Sequence, residues 1–308
     1  MSKAQAIYLK DKIYIRGGAG ETLDTLRDAA RLYVYCLSTD LWDGEPLDTP
    51  VYNFALTTYD LLLVLVGGRD YVPDQGPGSC TNKLWTWGEH AGQWKETLSP
   101  MRTKRSFATA VNVKKYLIVA GGKGETGDKS NAVEVYDGNQ WANAQCLPKA
   151  DYLIQCVVYD SNLYLMGGYQ QEKIVYYASL DSLIASCQPC ETPQTSSVWK
   201  RLPDVPHEQC SPAVFGSRLV AVGGGMTTTS SEIHAYSPHA YPPHTQPWEH
   251  VGKMPVSMNS TCTVVLPTGE LIVVGGMMVI ENTFRYSDKV FKTTLKSKCA
   301  LSTHNVHR

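Results

Sequence analysis

Six times along the chain a short, almost uninterrupted apolar run ends in two adjacent glycines: IYIRGG, LVLVGG, YLIVAGG, LYLMGG, LVAVGG and LIVVGG. The pairs are Gly17 and Gly18, Gly67 and Gly68, Gly121 and Gly122, Gly167 and Gly168, Gly223 and Gly224, and Gly275 and Gly276. Their spacings of 50, 54, 46, 56 and 52 residues define a repeat with loop-sized irregularity. Upstream of each run, across a polar turn, lies another short apolar segment, as in SFATAVNVKKYLIVAGG from Ser106, and the two read as an antiparallel hairpin. Downstream come a variable polar loop, an aromatic-rich strand and often a tryptophan: Tyr35 to Trp42, Trp87 to Trp94, Tyr136 to Trp141, Tyr177 to Trp199, and Tyr236 to Trp248. Each period therefore predicts four strands, A to D.

A half-solvated antiparallel strand alternates apolar and polar residues, but strand B of each period is apolar nearly throughout and needs cover on both faces. A radial array of blades supplies that cover. The large tryptophan near the outer strand then fills the wedge that widens away from the axis, and the glycines let the chain turn tightly beside another backbone at the narrow end. A pair of stacked β-sandwiches is the alternative, and six glycine-terminated hairpins at one period argue against it. The expected fold is all-β: a six-bladed β-propeller with four antiparallel strands per blade. One domain over 1–308 divides into blades 1–48, 49–97, 98–145, 146–203, 204–252 and 253–297, with 298–308 a polar tail. Strand A of repeat one is placed around Gln5 to Leu9 and strand D of repeat six around Val290 to Leu295. The ring then closes mainly by face packing. Repeat six has Tyr286 and Phe291 but no tryptophan, so its outer wedge is expected to be less filled.

These features resemble the kelch-repeat family, whose pattern is a glycine pair after strand B, a tyrosine, then a tryptophan about seven positions on. Tyr35 to Trp42 and Trp87 to Trp94 keep that offset, Tyr136 to Trp141 is shorter, and insertions precede Trp199 and Trp248. The likeness covers about residues 4 to 295 and is to invertebrate kelch scaffold or adaptor proteins, with no BTB or BACK domain expected here. It implies non-catalytic recognition of a protein or short peptide.

Composition agrees with many short strands: 43% hydrophobic, 19% charged, 25 Gly and 17 Pro. Twenty-eight basic against 29 acidic residues leave a net charge of -1, so neither nucleic acid nor an anionic membrane is an expected partner. Nine cysteines without regular spacing, and no apolar export segment after Met1, point to reduced thiols in the cytoplasm. Cys187 and Cys190 form a CxxC that no second pair completes as a zinc site. His234, His239, His244 and His250 have no recognised ligand spacing, so neither a metal nor another cofactor is expected. A monomer is favoured.

Antiparallel order places the B–C and D–A loops on one face, where variable loops can form a recognition surface. Sixteen positions before the glycine pairs stand Arg105, Asp151, His207 and Asn259, with Ser106, Tyr152, Glu208 and Ser260 beside them. The resemblance to kelch adaptors makes these rim candidates. Only Arg105 keeps the arginine found there in peptide-binding members, so their acidic-peptide specificity is not carried over. Arg69 and Tyr71 follow the second pair, and Arg102, Lys104 and Arg105 concentrate positive charge that could meet a carboxylate or phosphate. Treated as a surface residue, Arg105 should be replaceable by Ala within ~0.5 kcal/mol of stability. Trp94→Ala should cost roughly 3 to 5 kcal/mol. The other reading is a small-molecule enzyme of oxidase or isomerase type whose axial cleft joins Asp151, His207 and Glu208; no nucleophile or cofactor motif supports it.

Overall fold

A computed structural model describes residues 5–16, 26–27, 29–43, 47–72, 78–88, 92–169, 173–187, 197–225, 229–239, 247–280, 283–287, 290–296 and 300–306. Gly17, Gly18, Cys190 and His244 fall outside them. Apart from two two-stranded ladders, the described strands form six antiparallel sheets in chain order, so the protein is a six-bladed β-propeller with four-stranded blades. Blade 1 joins Ala6–Leu9, Lys12–Arg16 and Arg31–Cys36, with an outer edge in two pieces, Leu41–Trp42 and Leu47–Asp48. Blade 2 is Ala55–Tyr59, Leu62–Val66, Leu84–Trp87 and Lys95–Leu98. Blade 3 is Thr109–Val113, Tyr116–Ala120, Val133–Tyr136 and Trp141–Ala144, and blade 4 is Ile154–Tyr159, Asn162–Gly167, Val175–Ser179 and Lys200–Leu202. Blade 5 is Ser211–Phe215, Arg218–Val222, Glu232–Tyr236 and Glu249–Lys253.

Blade 6 departs from the sequence reading. Its strands are Cys262–Val265, Glu270–Val274, Val290–Lys296 and Ala300–Val306. The segment read as strand D, around Val290, is strand C, and Ala300–Val306, within the stretch read as a polar tail, is the fourth strand. The shift arises because an extra hairpin, Met277–Ile280 with Thr283–Tyr286, occupies the B–C connection where the aromatic strand was placed. A polar edge strand is hard to tell from a tail because it has few apolar positions to reveal it.

Tight A–B turns follow from the backbone. Lys10 and Asp11, Asp60 and Leu61, and Asp160 and Ser161 all have positive φ, as a two-residue type I′ turn requires.

The apolar strand B has a direct structural cause. In blade 2, Leu63 and Leu65 enter the core shared with blade 1, whereas Val64 and Val66 enter the core shared with blade 3. In blade 3, Leu117 and Val119 face blade 2, and Ile118 and Ala120 face blade 4. The last four residues of each strand are therefore core residues, alternately of two cores. The same division closes the ring: Ile13 and Ile15 of blade 1 share a core with Ile272, Val274 and Val290 of blade 6. Closure is by face packing.

Tryptophans lock successive blades. Trp141, Trp199 and Trp248 are buried between their own blade and the one before, and Trp42 and Trp94 are partly buried there. The indole N–H of Trp94 donates to Asp48 O at 2.9 Å, Trp141 to Ser99 O at 2.7 Å, Trp199 to Gln145 O at 3.1 Å and Trp248 to Pro203 O at 3.1 Å. Each acceptor lies at or just beyond the preceding blade's outer strand, so the indole contributes both packing and a fixed register. The insertion before Trp199 opens with a short helix, Leu180–Ala185, capped by Ser179 and held by buried Leu180 and Leu183. No helix among the described residues is long and apolar enough to cross a membrane.

Candidate functional site

The glycine pairs explain where the D–A segments lie. Gly67 and Gly68 have φ of +60° and +103°, and a Cβ on Gly67 would stand 2.5 Å from the carbonyl oxygen of Arg105. That closeness lets Gly68 N–H donate to Arg105 O at 2.9 Å. Gly122 N–H likewise donates to Asp151 O at 3.0 Å, and Gly224 N–H to Met258 O at 2.9 Å. The segments sixteen residues before the next glycine pair are thus clamped by their backbones onto the previous blade.

This latch corrects the reading of Arg105 as a rim residue. Its side chain is 1% exposed and pairs with Glu134 Oε1 at 2.5 Å, itself 0% exposed. Its other terminal nitrogen donates to Gly121 O at 3.1 Å and Ala132 O at 2.8 Å. Glu134 also accepts from Arg102 N, Thr103 N and Thr103 Oγ1. Burial pushes the Arg105 guanidinium below its ordinary pKa, with Glu134 opposing the shift. The group ties a loop to two strands of blade 3 and presents nothing to a partner. Asn259 is also buried, donating to Gly225 O. Asp151 is buried, with Lys129 Nζ 4.0 Å away and Tyr152 N donating to it at 2.9 Å.

Two residues further on, the chain turns into the axis. Asn53, Phe107, Leu153 and Gln209, each fourteen positions before a glycine pair, and Ser260, fifteen before, all have φ between +51° and +62°. Their backbones link neighbouring blades: Phe107 N to Asn53 O at 2.8 Å, Leu153 N to Phe107 O at 3.0 Å, and Ser260 N to Gln209 O at 3.3 Å. Phe107, Leu153, Gln209 and Ser260 line an axial cavity of about 30 Å³ together with Arg16. Arg16 is 2% exposed, donates to Phe54 O, and is lowered to about 10 chiefly by burial. Sequence reasoning missed these positions. The signal available was a non-β-branched residue just before every strand A, too weak to stand alone.

Beside the axial mouth lies an aromatic and cationic platform. Tyr152 stacks on Tyr169 with centroids 4.7 Å apart at 20°, and Phe107 packs on Tyr152 at 5.8 Å. Lys123 Nζ stands 5.2 Å from the Tyr152 ring, and Lys129 Nζ lies 5.9 Å from the Tyr169 ring. Tyr169 is 43% exposed whereas Tyr152 is 9% exposed, so Tyr169 is the outward member of the stack. Of the nearby positive groups, Lys104 is exposed, but Arg69 clamps two loops by donating to Gly78 O and Glu125 O at 2.8 and 3.2 Å. Tyr71 packs on Leu26, Ala29, Ala30 and Tyr52.

His207 and Glu208 occupy another sector and do not join Asp151. Glu208 lies 4.0 Å from Lys173. His207 Nε2 lies 3.1 Å from Glu232 Oε2, whose other histidine neighbour is His234 at 3.6 Å. His234 faces His250 across the strand pair, with ring centroids 5.5 Å apart. Burial pushes the His234 imidazole below its ordinary pKa, and the hydrogen bond from His207 lowers that of the Glu232 carboxyl. His207, Glu232 and His234 could together hold a metal ion. Residues 232 and 234 share one strand face, which a period-two reading could have revealed, but the loop residue 207 could not be placed there from spacing.

A larger axial cavity of about 180 Å³ is lined by the A strands, among them Thr57, Thr109, Gln155, Cys156, Cys262 and Thr263. Burial pushes the Cys156 and Cys262 thiols up to about 11 and 12.

Comparison with known proteins agrees with this architecture. The solved structure of YjhT superposes with a TM-score of 0.72 over 99% of this chain and 97% of that one, at 13% identity. Kelch-like protein 40 of Xenopus tropicalis is 26% identical over 167 residues, which are 52% of this chain and 25% of that protein. Kelch repeat and BTB domain-containing protein 1 of Cowpox virus (strain GRI-90 / Grishak) is 24% identical over 234 residues, 73% of this chain and 39% of the viral protein. The chain is a six-bladed propeller distantly related to kelch-repeat proteins. No family model matches it. The aligned region is well under half the length of each of these kelch relatives.

Proposed function

We propose that this kelch-related propeller is a non-catalytic recognition module that binds an extended peptide segment of a partner protein on its B–C and D–A face. The observation that carries the reading is the Phe107, Tyr152 and Tyr169 platform at the axial mouth with lysines set over its rings. A flat, partly exposed aromatic offers apolar area at low entropic cost, and the Lys123 ammonium favours a nearby carboxylate. The segment expected there combines an acidic side chain with a proline or aromatic one. A peptide is favoured over a small molecule because the axial cavity of about 180 Å³ falls below the ~300–1,000 Å³ usual for small-molecule sites.

Selection of a displayed peptide library against the protein tests this. Selected peptides should share an acidic and aromatic or proline pattern, and Tyr169→Ala should weaken them at least ~10-fold, as loss of an aromatic anchor does, without lowering Tm. Peptides that bind Tyr169→Ala as tightly as wild type would place recognition elsewhere.

A further inference from the structure

We propose that His207, Glu232 and His234 form a binding site for a divalent transition-metal ion, zinc being the ion it suits best. The site lies in blade 5, away from the aromatic platform, and the argument for it is independent of peptide recognition. Glu232 and His234 are two apart on the strand Glu232–Tyr236 and so project to the same face, while His207 reaches them from the D–A segment before strand A.

The distances fit a bound ion. Ligands held at ~2.1 Å from a tetrahedral zinc stand about 3.4 Å apart. The two contacts to Glu232 Oε2, 3.1 Å from His207 Nε2 and 3.6 Å from His234 Nε2, bracket that value, and all three ligand atoms lie within 4.8 Å of one another. The His207 and His234 ring centroids are 5.7 Å apart, and His207 can adjust to a bound ion because it is on a loop with its side chain 32% exposed.

The surroundings fit as well. Glu232 pairs with two imidazoles, and the ion pairs seen for it among the described residues include no lysine or arginine that a metal would have to displace. His234 is 8% exposed, so one ligand is held rigidly while the other two remain reachable from solvent. Two imidazoles and a carboxylate are a ligand set for zinc and its neighbours and a poor one for magnesium or calcium, which prefer all-oxygen shells. Three protein ligands leave a fourth position for water or for a side chain of a bound molecule.

Equilibrium dialysis against zinc chloride at micromolar concentration tests the site, with the exposed His239 as a control outside it. Wild-type protein and His239→Ala should each retain one zinc per chain. His207→Ala and Glu232→Gln, both at partly exposed positions, should each lose at least ~10-fold in affinity, no less than the loss of a supporting hydrogen bond usually costs. Zinc should raise the Tm of wild type and not of these two variants. With cobalt in place of zinc, the visible spectrum should show d–d bands without thiolate charge transfer. The assignment is overturned if wild type retains no zinc, if His207→Ala and Glu232→Gln bind as wild type, if His239→Ala abolishes binding, or if the cobalt spectrum shows thiolate ligation.

Discussion

Replacing Arg105 by alanine discriminates sharply between a surface and an interior role. The guanidinium is 1% exposed and faces a carboxylate that is 0% exposed. Its removal takes away the 2.5 Å contact to Glu134 and the bonds to Gly121 O and Ala132 O. Glu134 would keep its bonds from Arg102 N, Thr103 N and Thr103 Oγ1, yet its charge would be buried without a counter-ion. Breaking a buried pair by deleting one partner costs ~3–5 kcal/mol, because the remaining charge stays desolvated. For a chain of this size that corresponds to a fall in Tm of roughly 6–10 °C, taking about 2 °C per kcal/mol. Calorimetry and urea unfolding of wild type, Arg105→Ala, Glu134→Gln and the double variant measure it. The double variant should lose much less than the sum of the two single losses, since no uncompensated charge remains. A single-variant loss within ~0.5 kcal/mol, the value for an exposed side chain, would refute the buried-pair argument.

The tryptophans and the thiols give two further tests. Trp141→Ala should cost ~3–5 kcal/mol in urea unfolding and Trp94→Ala about half as much, since Trp141 is 5% exposed whereas Trp94 is only partly buried; the reverse order would contradict the interblade packing. Alkylation followed by mass spectrometry should label Cys36 and exposed Cys146 first and leave Cys210 and Cys262 unlabelled until unfolding, because both are buried and burial pushes both thiols up to about 12. Hydrogen bonds from Ser38 and Thr39 lower the Cys36 pKa, so its labelling rate should half-saturate at a lower pH in the wild type than in Ser38→Ala.

The architecture was legible because one physical requirement is written six times. A strand whose successive residues enter alternate cores must be apolar throughout, and Leu63 to Val66 and Leu117 to Ala120 display this directly. Blade 6 was misread where that redundancy failed: its strand C follows an inserted hairpin, and its outer strand has no tryptophan to mark it. The rim was harder to read. Position sixteen before the glycines lies in the D–A segment ahead of strand A, and a linear count carries no information on side-chain direction. The backbone latch from Gly68 to Arg105 sends that arginine inward, toward Glu134, whose partnership 29 residues away no local pattern announces.

This arrangement separates the constraints on the two parts of each D–A segment. Its first part supplies the carbonyl that the preceding glycine pair holds, so its side chain is packed wherever the latch forms, as at Arg105, Asp151 and Met258. Its next part adopts positive φ and enters the axial mouth, where Phe107, Leu153, Gln209 and Ser260 differ in size and polarity while keeping the same backbone. Chemistry can therefore vary at the mouth without loosening the contacts between blades. The stability of the ring rests on glycine backbones and indole hydrogen bonds, and the selectivity of the face rests on side chains that neither of them fixes.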